Sequence, residues 1–443
     1  MTSKRFERLD DWLIWLEGHH PVEIELGLGR IRIVADRLGL LNPRARIVTI
    51  GGTNGKGSCV AVCSALLRAA GWKVGSYISP HILSYNERVC VNGQPVSDAA
   101  LCEAFARIDE ARGDISLTYF EFGTLAAFEI FRDVNVDVMV LEVGLGGRLD
   151  AVNLLDADVA VVTSVDLDHQ SWLGNDRDSI GREKAGIYRT GRPGLCADPE
   201  PPLGLLDTAA QMGVTLQCAG DAFGFEVRAE GWCWWGSSAE NQPLHLTLPV
   251  PLLPWSSVAA ALQAVAQLGV DLPAIVPESG LEKLTLRGRF QQLSWRGCPV
   301  ILDVAHNPAA ARHLAERLAR HPVARTFVVV GIMADKDRVG TLAPMKSLAT
   351  EWWLAALPGV PRAASPEQLK KDLAELGAQP GGYGTVPEAL RWLELSVQPG
   401  DRIVFMGSFF TVSAALVALN KGEPCEHAGN EAPLSDTDSL EDK

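Results

Sequence analysis

Residues 46–50, 73–78, 136–141 and 158–163 are short runs dominated by apolar and β-branched side chains, with helix-forming stretches such as 60–70 and 124–132 between them. A strand with one face in water alternates polar and apolar residues. A strand covered on both faces does not, and covered strands alternating with helices build parallel sheets. The pattern therefore predicts an α/β domain around a mainly parallel sheet, with Gly71 placed to end the helix over 60–70. From about 214 to 248 the pattern shifts to short alternating segments carrying Trp232, Trp234 and Trp235, which predicts antiparallel strands appended to that sheet. A helix over 256–268 and a stretch with Pro and Gly over 269–288 then predict a domain boundary. Beyond it, strands over 300–302, 326–330, 352–357 and 402–406 with a helix over 309–320 predict a smaller, doubly wound, Rossmann-like α/β domain. No internal repeat relates the two halves.

A chain of 443 residues agrees with two domains, placed at 1–280 and 288–420. Its 40 Lys and Arg stand against 54 Asp and Glu, a net charge of −14, and no basic run is available to neutralise a phosphate backbone, so nucleic acid is excluded as a partner. Part of the acidic excess is local: Glu423, Glu426, Glu431, Asp436, Asp438, Glu441 and Asp442 predict a disordered acidic tail over 421–443. The first ten residues hold no apolar region, and nowhere do about 18 uncharged apolar residues run together. No membrane contact and a cytoplasmic location are expected. The nine cysteines never form a Cys-x-x-Cys pair, which points to buried, reduced thiols. No interface signature stands out, so a monomer is expected.

The chemistry begins at Gly51-Gly52-Thr53-Asn54-Gly55-Lys56-Gly57-Ser58, between an expected strand and an expected helix. Glycines let backbone N–H groups turn toward phosphate oxygens, Lys56 adds a point charge, and the helix start adds its positive dipole end. Ser58 offers a hydroxyl to magnesium. Gly57 between the lysine and the serine departs from the general phosphate-loop spacing. Glu142 follows the run 136–141, at the carboxyl edge where open α/β sheets place ligand groups. It suits either a magnesium ligand or a loop-capping acid. The next strand ends in Asp166-Leu167-Asp168-His169, which brings His169 to the same rim and strengthens the metal reading. Lys184 reads by spacing alone as a solvated helix lysine. Asp303 ends the run 300–302 as a candidate ligand group, and His306 and Asn307 after it suit helix capping equally well.

With these residues placed, the chain resembles the Mur ligase superfamily, and within it the bacterial folylpolyglutamate synthase/dihydrofolate synthase family. The resemblance runs from about residue 26 to residue 416, through Gly52 to Ser58, Ser79-Pro80-His81, Asn86-Glu87-Arg88, the segments 141–153 and 181–187, Asp168-His169, Gly288-Arg289-Phe290 and 303–308. The extra Gly57 looks like that family's own form of the loop. The resemblance implies a Mur ligase-like fold, ATP held by Gly55, Lys56, Gly57 and Ser58, and nucleotide contacts from Arg289 and Asp303. It also implies two magnesium sites with ligands at Ser58, Ser79, Glu142 and His169, and a carbamylated Lys184 beside the second metal. A pterin surface is implied at Glu25, Leu26, Gly27 and Leu28, at Thr118, Tyr119, Phe120 and Glu121, and at Leu149, Asp150 and Ala151. Trp255 departs from the pattern, because an asparagine that contacts ATP commonly stands there.

The chemistry so implied is activation of a carboxylate as an acyl phosphate followed by attack of an amine. Lys56, His169 and Lys184 are the residues expected to serve it. The expected substrates are ATP, L-glutamate, 7,8-dihydropteroate and reduced folates, and the Tyr119-Phe120-Glu121 segment with Asp150 looks like the type that accepts dihydropteroate. The alternatives are a folylpolyglutamate synthase alone, a Mur-type ligase acting on a peptidoglycan precursor, and a phosphate-loop kinase or nucleotide switch.

Overall fold

The computed structural model describes residues 5–22, 24–228 and 231–421. The chain divides into two compact units, Met1–Leu286 and Arg287–Lys443. The expected acidic tail lies outside the described residues except for Lys421, which closes the helix Phe409–Lys421.

The first unit is built on an eight-stranded sheet. Its strands are β1 (Arg46–Gly51), β2 (Val74–Tyr77), β3 (Val89–Val91), β4 (Gln94–Pro95), β5 (Val138–Glu142), β6 (Val159–Val162), β7 (Gly194–Cys196) and β8 (Leu216–Cys218), in the order β4-β3-β2-β5-β1-β6-β7-β8. The pairs from β2 through β8 are parallel, and β3 and β4 close one edge antiparallel. Alternation within the strands serves two cores. Ile47, Met139, Leu141, Ala160 and Val162 pack with helices Leu9–His19, Asp98–Arg112 and Tyr119–Asp133 on one face. Val48, Ile50, Val138, Val140, Val159 and Val161 pack with helices Lys56–Ala69 and Trp255–Gln267 on the other. Both faces are dry, which is why these strands read as continuous apolar runs.

The segment 214–248 differs from the expectation. Its first strand, β8, belongs to the main sheet and pairs parallel with β7. The rest, β9 (Gly224–Arg228), β10 (Gly231–Ser237) and β11 (Pro243–Leu248), forms a separate antiparallel sheet. Tryptophan accounts for its position: Trp232 and Trp234 are fully buried, and the Trp234 indole donates to Ala259 O at 3.1 Å. Gln263, also buried, accepts from Ser237 N at 3.1 Å and donates to Gln217 Oε1 at 2.7 Å, tying the small sheet, the helix Trp255–Gln267 and β8 together.

The second unit carries a six-stranded sheet of β12 (Gln291–Trp295), β13 (Cys298–Asp303), β14 (Thr326–Val330), β15 (Glu351–Ala356), β16 (Gly382–Thr385) and β17 (Arg402–Met406). The order is β12-β13-β17-β14-β15-β16, parallel except for β12. Val328, Val330, Leu354, Val404 and Met406 are fully buried in its core beneath helices that include Pro308–Ala319 and Pro366–Glu375.

Candidate active site

Register places the ends of β1, β2, β5 and β6 along one edge of the first sheet, with Ile50 beside Glu142, Tyr77 beside Leu141 and Gly51 beside Val162. The chain leaves β1 at Gly51, turns through 52–55 and enters the helix Lys56–Ala69, four residues earlier than the apolar pattern suggests. Two glycines make the turn. Gly52 has φ +138°, and a Cβ there would lie 2.0 Å from Thr163 Oγ1; Gly55 has φ +87°, and a Cβ there would lie 2.5 Å from Ser257 Oγ. No other residue type combines these backbone angles with such close approach.

The exit of β6 clamps the loop from beneath. Thr163 Oγ1 donates to Asn54 O at 2.7 Å, Asn54 N donates to Ser164 Oγ at 3.0 Å, and Thr53 N donates to Ser164 O at 2.8 Å. Asp166 N donates to Thr53 Oγ1 at 3.0 Å. Lys56 folds back so that Nζ donates to the carbonyls of Gly52 and Thr53, each at 3.1 Å. A lysine held over its own loop, at the start of a helix with unspent N–H donors, is an anion cradle. Ser58, in the first turn, is buried, and its hydroxyl has no hydrogen-bond partner.

Glu142 is buried as the last residue of β5, and its Oε2 accepts from Ser79 N at 3.1 Å. A Cβ on Gly57 would lie 3.6 Å from the same oxygen, so the helix start and the carboxylate face each other at contact distance. His169 adopts φ +51° at the start of the short helix Gln170–Leu173, with Nε2 4.0 Å from Asp168 Oδ1. Among the described residues no three His, Cys, Asp or Glu side chains gather in a group that holds a metal ion unaided.

Lys184 is not the solvated lysine its spacing suggests: only 3% of it is exposed. Burial, and after it the charge of Lys56, pushes its ammonium down to about 7, against the raising influence of Asp168 and Asp150. The loop 144–150 comes within touching distance of the helix Arg177–Ala185 that carries Lys184. Arg148 N donates to Glu183 O at 2.8 Å, and a Cβ on Gly147 would lie 2.7 Å from Glu183 O and 2.9 Å from Lys184 O. Asp150 accepts from Leu145 N at 2.8 Å and Val152 N at 3.0 Å, yet burial pushes its carboxyl up to about 6.

The three segments matched to a pterin surface meet. Gly27 N donates to Leu149 O at 3.3 Å, and Arg30 ion-pairs with both Glu25 and Glu121, the latter at 3.2 Å. His20, its basicity lowered by burial and then by Arg30, bonds Glu25 Oε2 at 2.8 Å and Ser116 Oγ at 2.8 Å. Thr118 and Glu121 also form a capping box: Thr118 Oγ1 accepts from Glu121 N at 3.2 Å, and Glu121 Oε2 accepts from Thr118 N at 2.7 Å. This Thr-x-x-Glu signature stood in the sequence and starts the helix at Tyr119, ahead of the expected 124. Spacing had no means of selecting His20, Arg30, Ser164 or Ser257, because only their contacts distinguish them.

In the second unit Asp303 ends β13 and accepts from Phe290 N and Ala305 N, each at 2.8 Å. Burial raises its carboxyl while Arg289 opposes the rise. The Arg289 guanidinium lies 4.9 Å from the Phe409 ring centre. Asn307 caps the helix Pro308–Ala319 by accepting from Ala310 N at 2.9 Å. Trp255, in the first unit, is packed as a structural residue, with its ring edge-on to Phe225 and its indole donating to Pro251 O at 3.2 Å.

Residues 288–409 match the Mur ligase glutamate ligase domain. The dihydrofolate synthase/folylpolyglutamate synthase of Escherichia coli K12 is 43% identical over 420 residues, 95% of this chain and 97% of that protein. The structure of E. coli FolC in complex with DHPP and ADP superposes with a TM-score of 0.88 at 43% identity, covering 95% of this chain and 99% of that one. A bifunctional folylpolyglutamate synthase/dihydrofolate synthase with Mn, AMPPNP and L-glutamate bound superposes with a TM-score of 0.86 at 44% identity, covering 95% and 100%. With the fold, the phosphate-loop geometry and 43% identity over 95% of the chain in agreement, the chain belongs to the dihydrofolate synthase/folylpolyglutamate synthase family of Mur ligases.

Proposed function

We propose that this protein uses ATP to join the amino group of L-glutamate to the carboxylate of 7,8-dihydropteroate and, at the same site, to the tail carboxylate of reduced folates. The observation that carries the proposal is the edge of the first sheet, where an anion cradle after β1 lies beside the buried carboxylate that ends β5, and a buried helix lysine of low basicity feels the charge of Lys56, in a chain 43% identical to a ligase of this class.

A carboxylate acylates poorly because its leaving group would be oxide. Transfer of the ATP γ-phosphoryl to it forms a mixed anhydride and ADP. The glutamate amine then attacks the acyl carbon, phosphate leaves with the bond electrons, and the amine gives up its proton. The loop N–H groups and Lys56 hold the phosphates in this reading.

The residues fit magnesium. The Ser58 hydroxyl is an orphaned buried oxygen next in sequence to Gly57, which lies at contact distance from Glu142, and a protein donor set too small to hold a cation alone suits one that completes its octahedron with water and phosphate oxygens. When bound, magnesium offsets charge on the transferring oxygens. We assign Ser58, Ser79 and Glu142 to one ion and His169 to a second. An amine titrating near 7 is largely neutral at pH 8, so Lys184 is able to add carbon dioxide: an N–C bond forms, a proton leaves, and an anionic carbamate remains, which in this reading serves the second ion. Arg289 and Asp303 keep their assignment to the nucleotide on resemblance alone, and the protein is taken to act in the cytoplasm as a monomer.

Phosphate release by the purified protein with Mg-ATP tests the proposal. Release that needs both glutamate and an acid, and occurs with dihydropteroate and with tetrahydrofolate, is expected. Release with tetrahydrofolate alone removes the first activity, and release with neither removes the folate reading in favour of the Mur-type and phosphate-loop alternatives.

A further inference from the structure

The segment 79–88 between β2 and β3 carries Ser79-Pro80-His81 and Asn86-Glu87-Arg88. Two residues of the second motif hold the segment itself. Glu87 accepts backbone N–H bonds from Ile82, Leu83 and Ser84 at 2.9, 3.1 and 3.2 Å. Asn86 Nδ2 donates to Val96 O at 2.7 Å and Asp98 Oδ1 at 2.9 Å. Arg88 is placed differently. It is only 9% exposed, and its guanidinium carbon lies 5.2 Å from the Tyr85 ring centre and 5.4 Å from that of Tyr119. The two rings stand at 82° to each other, which fixes the guanidinium between them. Its Nε donates to His81 Nδ1 at 2.9 Å.

That acceptor supplies no counter-charge. An imidazole that accepts at Nδ1 offers a lone pair and no negative charge. Among the described residues no carboxylate pairs with Arg88, although a guanidinium carries five N–H donors. Two other buried arginines are served differently. Arg112 pairs with Asp109 at 2.7 Å, and Arg402 donates to the carbonyls of Leu318 and His321, both at 2.8 Å. A buried cation without an anion costs several kcal/mol. A ligand that brings the anion removes that cost, and a planar fork favours a carboxylate.

Position narrows the source of the carboxylate. Tyr119, beneath the guanidinium, opens the helix whose first turn holds Phe120 and Glu121, and Ser79, two residues before His81, bonds Glu142. We propose that Arg88 binds the reacting carboxylate of the acyl substrate and presents it for phosphoryl transfer. This deepens the ligase reading and rests on it.

The test compares the full-length wild type with Arg88→Ala and Arg88→Lys. Binding of dihydropteroate and of its analogue with a carboxamide in place of the carboxylate is measured by calorimetry. The KM values for dihydropteroate, glutamate and ATP are measured alongside, with circular dichroism melts to check folding. The wild type should prefer the acid over the amide by about 10- to 100-fold, the range of one charge-assisted pair. Arg88→Ala should lose that preference, bind the amide as the wild type does, and leave the KM for glutamate and ATP unchanged. Arg88→Lys, which keeps charge but not the fork, should retain part of the preference, and it carries the test if the alanine variant does not fold. Equal weakening for acid and amide, no change for either, or a rise confined to the glutamate KM would overturn the proposal. Absence of wild-type turnover with either acid would instead refute the folate reading, so the two failures are distinct.

Discussion

At the scale of single residues, burial rather than spacing decides what a charged group does. Lys184 sits in the polar string Gly181-Arg182-Glu183-Lys184 and looks like a surface lysine, yet the fold buries it and depresses its ammonium to about 7. The sign of the linkage follows. Between about 7 and the unfolded value of 10.5 the unfolded chain binds a proton that the native chain lacks, so the penalty is complete below 7 and lifts as the pH rises. In carbon dioxide-free buffer the urea midpoint should therefore climb from pH 7 to pH 9, and Lys184→Met should flatten the climb. Equal slopes in the two proteins would show that Lys184 is not the group responsible. Glu121 makes the complementary point. Its place in a Thr-x-x-Glu cap was readable, but its ion pair with Arg30, 91 positions away, was not.

At the scale of elements, the strand, glycine loop and helix from β1 onward were legible because three signals agree: an apolar run, glycines, and helix-forming residues. The early helix start escaped because Gly57 reads as loop, although it lies within the helix. The edge strand β16 escaped because Gly-Tyr-Gly-Thr carries no apolar alternation, and the parallel pairing of β8 escaped because its partner, β7, is set by the tertiary fold. The loop itself yields a quantitative contrast. Gly52 and Gly71 both have positive φ, but a Cβ at Gly52 meets Thr163 Oγ1 at 2.0 Å, while one at Gly71 meets nothing within 4 Å. Gly52→Ala should cost about 2–4 kcal/mol by urea unfolding, combining strain and overpacking, and Gly71→Ala about 1 kcal/mol. Equal costs would mean that backbone angle alone, and not the clamp by β6, fixes the loop.

At the scale of the whole molecule, the α/β class of both sheets was foreshadowed by the two series of apolar strands. The identity of the acids was not, since composition and periodicity say nothing about a pterin. The central claim is that one oxygen of the substrate carboxylate leaves with phosphate. Dihydropteroate labelled with ¹⁸O in its carboxylate, turned over with Mg-ATP and glutamate, tests it by mass spectrometry of the products. An acyl phosphate route places one labelled oxygen in each phosphate released and leaves the other in the amide. Unlabelled phosphate would contradict the account.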